Sequence, residues 1–266
     1  NMTTIATEEY LEVITNRPNT AIRYALFDFD GTLAPLELHP DRVSMPLAVQ
    51  DKLRQLQQRS AVGIVTGRSL ADLRRRLVFE PDYLIGNHGI EGLPGWERGA
   101  RSFERICEGW QQQLQGFLST LGSDVWIEDK RYSLSLHFLR AAHRAGIAQA
   151  LTLQCGQLDP QPRVIAGKAV LNLLPPGARD KGGAVDELMK LARASRALYA
   201  GDDVTDEQVF LLDREDLFTI HVGVGDDSAA RYVIPDHASV LPLLGLLINY
   251  LSGSRDRAPN RRISAR

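Results

Sequence analysis

Asp28 and Asp30 stand two residues apart in Asp28-Phe-Asp-Gly-Thr32, directly after the apolar run Tyr24-Ala-Leu-Phe27. Residues two apart at a strand end project to the same side, so both carboxylates can address one substrate atom. Gly31 permits the sharp turn that exposes them, although an Asp-Gly pair alone is an ordinary turn. Three further segments have similar positions. Thr66-Gly-Arg68 and Ser69 offer a hydroxyl and backbone N–H groups at a strand-to-helix turn, an anion site at a helix N-terminus. Ser69 is equally well explained as an N-cap. Lys181-Gly-Gly183 opens a later helix with a cation that can neutralise phosphate charge, where a lone Lys is more often simply solvated. Gly201-Asp-Asp-Val-Thr-Asp206 carries three carboxylates, of which capping explains one. Together with Asp28 and Asp30 this puts five carboxylates on one edge, and so many like charges repel unless a cation is present. All-oxygen donors without Cys or a nearby His favour a hard ion, Mg²⁺ before Zn²⁺.

Positioning these segments requires strands that end side by side. Tyr24–Phe27, Ala61–Val65 and Tyr83–Ile85 read as buried strands, as do Ala197–Ala200, Phe218–Val222 and Arg231–Ile234 later in the chain. Helical patterns lie between them: Leu47, Leu53 and Leu56; then Leu70, Leu73 and Leu77 after a Ser69–Asp72 capping box; then Val185, Leu188 and Met189. A second capping box is predicted at Thr205 and Gln208. Alternating apolar strands and helices predict an α/β fold, a Rossmann-like parallel sheet sandwiched by helices. Ligands bind such sheets at the C-terminal ends of the strands, where the four segments fall.

The middle of the chain differs. Phe103, Ile106, Trp110, Leu114, Phe117 and Leu121 form a long amphipathic helical stripe, and Tyr132 to Phe138 alternates as a strand with one wet face. A helix over about 141–153 and two short strands over 163–166 and 169–174 follow. This predicts an inserted α+β cap over residues 99–174, within a core formed by 1–98 and 175–254, and then an Arg-rich tail over 255–266. Pro and Gly residues at 92–99 and 175–177 mark the crossings. Trp96, Trp110 and Trp126 read as core or domain-contact residues.

Composition excludes several classes. The chain has 266 residues, 44% hydrophobic and 24% charged, as expected of a globular protein of about two domains. A net charge of −2 gives no global attraction to nucleic acid or acidic membrane. Two Cys cannot make a disulfide framework, and with no secretory pattern or membrane span predicted, the expected location is the cytoplasm.

Asp-x-Asp-Gly-Thr, then Thr, then Lys, then Gly-Asp-Asp-x-x-Asp, in that order, resembles the haloacid-dehalogenase (HAD) superfamily of phosphatases. The closer resemblance is to the trehalose-6-phosphate phosphatase family, through Phe27 to Pro35, Gly86-Asn-His-Gly89, Glu128-Asp-Lys130 with Ser133 and His137, Gly167-Lys168, and Gly201 to Glu207. The resemblance implies Asp28 as nucleophile and Asp30 as general acid and base. It also implies Mg²⁺ held by Asp28, the Asp30 carbonyl and Asp202, phosphoryl oxygens bound by Thr66, Gly67 and Lys181, and Asp203 and Asp206 as supports behind them. Asn87, His88, Gly89, Glu128, Lys130, Lys168 and Asn172 would meet the sugar, with His88 exposed between two glycines. Two positions depart from the family pattern. Leu139 stands where an Arg is usual, with Arg140 one residue later, and Asn172 and Leu174 stand where a Glu and a basic residue are usual. The implied reaction is Mg²⁺-dependent hydrolysis of trehalose 6-phosphate. A related glycosyl or polyol phosphate, or a catalytically inactive sugar-phosphate-binding module, remains as an alternative. The expected partner is a small sugar phosphate, not nucleic acid or membrane.

Overall fold

The computed structural model describes residues 3–4, 22–194, 196–224 and 227–252; the Arg-rich tail over 255–266 lies outside them. In chain order the elements are β1 (Thr3–Thr4), β2 (Tyr24–Phe27), α1 (Leu47–Gln57), β3 (Ala61–Val65), α2 (Leu70–Arg75), β4 (Tyr83–Ile85), α3 (Glu97–Ser119), β5 (Trp126–Asp129), β6 (Leu134–His137), α4 (Arg144–Cys155), β7 (Arg163–Gly167), β8 (Val170–Leu174), α5 (Lys181–Leu191), β9 (Ala197–Gly201), α6 (Glu207–Phe210), β10 (Leu217–Val222), β11 (Tyr232–Ile234) and α7 (Val240–Ser252).

β2, β3 and β9 are buried on both faces, which is why they read as unbroken apolar runs. Their side chains alternate between two cores. Ala25, Phe27, Val62, Ile64, Leu198 and Ala200 pack with apolar residues of α1, α2 and α7. Tyr24, Leu26, Ala61, Val65, Ala197 and Tyr199 pack with those of α5 and α6. The sheet is parallel throughout, in the order β1-β11-β10-β9-β2-β3-β4. The chain moves outward from β2 through β3 to β4, then returns to place β9 on the other side of β2. Asp28 and Asp202 therefore flank the crevice where the strand order reverses, the ligand position of such sheets.

Between β4 and α5 the chain forms a four-stranded antiparallel sheet, β5-β6-β8-β7, with α3 and α4 on one face. Trp110 of α3 is fully buried there, and its indole N–H donates to the Pro160 carbonyl at 2.7 Å. Trp110→Ala leaves a large cavity and an unpaired carbonyl, so it is expected to cost about 3–5 kcal/mol, read as a lowered denaturant midpoint.

Three local details differ from the sequence reading. β5 is an additional strand; its four residues, Trp-Ile-Glu-Asp, are too few to show a strand period. β6 begins at Leu134, not Tyr132, because Lys130–Ser133 is a tight turn, closed by Lys130 N–H on the Ser133 carbonyl at 3.1 Å. The capping box near residue 205 is formed by Asp203 and Asp206, not by Thr205 and Gln208. Capping therefore accounts for two of the three carboxylates in that loop and leaves Asp202.

Candidate active site

Asp28 leaves β2 with its N–H bonded to the Ala200 carbonyl of β9 at 2.9 Å, and its carboxylate is buried at the sheet edge. Lys181, the first residue of α5, is 2% exposed. Its Nζ donates to Asp28 Oδ1 and to Asp206 Oδ1, both at 2.9 Å. Burial alone would push the ammonium down; the charges and hydrogen bonds of Asp206 and Asp28 hold it well above its ordinary range. Asp206 has no free face. Oδ1 also accepts from Tyr199 Oη at 2.6 Å, and Oδ2 accepts the backbone N–H groups of Asp202 and Asp203 at 3.1 and 2.9 Å. It orients Lys181 and the loop.

One cation thus faces the three carboxylates of Asp28, Asp202 and Asp206. Burial, then the charge of Asp206, pushes Asp28 well above the usual carboxylate range despite Lys181. Asp202 is pushed up to about 7 by burial and then by Asp206. One oxygen from each of the three lies within 4.8 Å of the others. Because Asp206 is saturated, Asp28 and Asp202 are the pair with capacity left for a metal. This uncompensated, oxygen-only set suits a hard divalent cation.

Gly31 has a φ of +80°, and a Cβ there would run into the Asp202 carboxylate. Gly31→Ala is expected to displace Asp202 and lower turnover about 10²-fold, the cost of misplacing a reacting group by an ångström. Steady-state rates at saturating metal check this.

Asp30 is held by Arg68, which closes the Thr66-Gly-Arg68 segment but whose side chain had no role in the sequence reading. Nε meets Oδ2 at 2.9 Å and Nη2 meets Oδ1 at 2.6 Å, a bidentate pair. Arg68 also bonds Asp72 Oδ2 at 2.7 Å and the Pro40 carbonyl at 2.8 Å. Only its place directly after Thr66-Gly67 could have drawn attention to it, since spacing does not reveal that an Arg is buried. Thr66 Oγ1 accepts the Arg68 N–H at 3.1 Å, and Thr66 itself is fully buried.

The site opens into a cleft of about 1680 Å³ between the two sheets. Asp28, Asp30, Gly67, His88, Glu128, Lys130, Lys168, Asn172, Lys181, Asp202 and Asp203 all line it; Thr66, Asn87, Gly89 and Asp206 stand behind the lining. His88 is buried, contrary to the exposed side chain expected of it. Asn87, His88 and Gly89 all have positive φ, which turns the loop inward and lays the ring against Gly67, where any side chain would collide with it. Among the described residues neither ring nitrogen has a partner at hydrogen-bonding geometry, although the Asn172 amide lies close enough to favour a proton. Burial, then Lys130 and Lys181, pushes the ring well below its ordinary pKa, so it is a neutral imidazole facing the cleft.

Glu128 meets His137 Nε2 at 3.0 Å, and the His137 ring stacks on Trp126 at 4.4 Å, which in turn stacks on His39 of the parallel-sheet side at 5.7 Å. Burial alone would raise the Glu128 carboxyl from 4.5; the His137 hydrogen bond and the Lys130 charge bring it down to about 2. A carboxyl with a depressed folded pKa stabilises fully above its unfolded value and loses that contribution as pH falls through the folded one. Glu128→Gln is therefore expected to flatten the fall in Tm between pH 4.5 and 2 relative to wild type, read by thermal melts across that window. Asn172 is committed to the protein: its Oδ1 accepts from Ser135 at 2.8 Å and its Nδ2 donates to the Ile165 carbonyl at 3.2 Å. Leu139 and Arg140 both line the cleft.

Residues 26–231 match the family model described as Trehalose-phosphatase. The chain is 30% identical over 241 residues to the trehalose-phosphate phosphatase of Mycobacterium ulcerans, covering 85% of this chain and 61% of that protein. It thus spans about three fifths of that relative's length. The trehalose-6-phosphate phosphatase of Escherichia coli is 28% identical over 244 residues, covering 88% of this chain and 91% of its own length. The C-terminal domain of a Candida albicans trehalose-6-phosphate phosphatase has the same fold, with a TM-score of 0.75 at 21% identity over 93% of this chain and 99% of that one.

Proposed function

The chain belongs to the trehalose-phosphatase family, and from that premise we propose that it hydrolyses trehalose 6-phosphate to trehalose and phosphate through an aspartyl-phosphate on Asp28. The observation that carries this reading is the buried Asp28–Lys181–Asp206 arrangement beside Asp202, a nucleophile fixed at a sheet edge with its phosphate-binding cation already in contact. An Asp28 carboxylate oxygen bonds to phosphorus and the bond from phosphorus to the sugar oxygen breaks. One of the two Arg68 bonds to Asp30 gives way as the sugar oxygen arrives, and the freed oxygen of Asp30, protonated from solvent, passes that proton to the leaving sugar oxygen. Water then attacks the acyl-phosphate with Asp30 taking its proton, which restores both carboxyls. Lys181, the Thr66 hydroxyl and the Gly67 backbone hold the phosphoryl oxygens where negative charge must be balanced. Mg²⁺, held by Asp28, the Asp30 carbonyl and Asp202, would supply further charge neutralisation.

Residues 99–174 act as a cap on a core of 1–98 and 175–254 and bring Glu128, Lys130 and Lys168 to the sugar. The neutral His88 ring accepts or donates one hydroxyl hydrogen bond without adding charge. The enzyme works in the cytoplasm on a small sugar phosphate, with neither nucleic acid nor membrane as partner; among the described residues no helix is long and apolar enough to cross a membrane. The test is phosphate release from trehalose 6-phosphate with and without Mg²⁺, beside glucose, mannose and glycosylglycerol phosphates. Metal-dependent release with trehalose 6-phosphate preferred is expected; no release from any of them refutes the reading. A second reading, a related glycosyl phosphate as preferred substrate, is favoured by Asn172, whose amide is committed to Ser135 and Ile165 and offers a sugar little.

A further inference from the structure

Asn87 lies under the cleft, fully buried, in the left-handed region at φ 49°. Its amide is used on every side. Nδ2 donates to Glu91 Oε2 at 2.8 Å and to the Lys130 carbonyl at 3.0 Å, and Oδ1 accepts from Ser133 Oγ at 2.6 Å. Its backbone N–H bonds the Arg68 carbonyl at 2.8 Å. Glu91 in turn accepts the Leu70 N–H at the start of α2 at 2.9 Å. Lys130 and Ser133 close the tight turn before β6, and Tyr132 within that turn packs with Ile90 and Ala100. A single residue therefore joins the turn carrying Lys130, through its side chain, to the loop that carries His88, and through its backbone N–H to the carbonyl of Arg68.

We propose that Asn87 is a positioning residue: the pin that fixes the 130–133 turn to the parallel-sheet core, so that Lys130 keeps its place over the site. The proposal rests on the phosphatase reading for its effect on catalysis, though not for the pin itself. At the pin, the bonds are short and the groups buried, so parting them leaves several polar atoms without water. Lys130 is half-buried and lines the cleft, and its reach depends on where its own carbonyl is held. Asn87 touches no part of the cleft, so it acts through Lys130 and His88 and not on the sugar.

The test is hydrogen exchange by mass spectrometry on the full chain, without ligand, for wild type, Asn87→Ala and Ser133→Ala, with trehalose 6-phosphate kinetics alongside. In Asn87→Ala, peptides covering 86–92 and 128–134 are expected to exchange at least about tenfold faster together, with α1 and β3 unchanged. KM is expected to rise about tenfold and kcat to change less than threefold. Ser133→Ala, which cuts the link from the other side and leaves the left-handed loop intact, shifts both in the same direction by about threefold. It decides the matter alone where Asn87→Ala does not fold. Unchanged exchange at 128–134 in a folded variant overturns the proposal, as does faster exchange with an unchanged KM. If wild type proves inactive on trehalose 6-phosphate, the exchange measurements still decide the pin, and the substrate reading alone fails.

Discussion

Asp28→Asn is expected to abolish turnover, by about 10⁴-fold or more as for the loss of a covalent nucleophile, while the protein keeps or gains thermal stability. The two halves of that expectation come from one geometry. Asp28 is 4% exposed, and burial and its neighbours Asp206 and Asp202 all act against its charge. Asn removes that charge at constant shape and still presents an oxygen to Lys181, whose other partner Asp206 remains. A residue placed for stability alone would not be so disfavoured where it stands. Loss of activity together with loss of the fold would therefore contradict this account of Asp28. Phosphate release, with Tm measured without metal, separates the outcomes.

Lys181→Ala is expected to be strongly destabilising. It removes the cation bonded to both Asp28 and Asp206 and leaves two buried carboxylates facing each other, and breaking a buried pair from one side costs about 3–5 kcal/mol. Turnover should vanish as well, since the phosphoryl oxygens lose their charge partner. Two features discriminate the cause. Asp28→Asn in the same chain should return part of the lost stability, because it removes one of the stranded charges, whereas independent sites would simply add. Divalent cation should raise Tm more in Lys181→Ala than in wild type, since an ion bound to Asp28 and Asp202 replaces the missing charge. Urea melts of the two single variants and the double variant check the first, and melts with and without Mg²⁺ the second.

Much of this was legible in the sequence because burial writes itself directly into a strand. Tyr24–Phe27 and Ala61–Val65 are apolar throughout since helices cover both faces, and the carboxylates follow because such strands end where ligands bind. Other features depend on partners far away in the chain. Arg68 reads like any surface Arg until Asp30, Asp72 and the Pro40 carbonyl close around it. His88 reads as exposed because it lies beside glycine, yet positive φ at three successive residues turns it inward. β5 owes its existence to pairing with β6, not to its own four residues. Asn87 and Ser133, 46 positions apart, show no local sign of their 2.6 Å contact.

The central claim is that phosphate passes through Asp28. It is tested most directly by quenching the enzyme in acid during turnover of trehalose 6-phosphate with Mg²⁺, reducing the acyl-phosphate with borohydride and sequencing the peptides by mass spectrometry. The account expects residue 28 to appear as homoserine in a substrate-dependent fraction of the chains, with none in Asp28→Asn. Steady turnover with residue 28 always recovered as unmodified aspartate, or homoserine at another position, would contradict it.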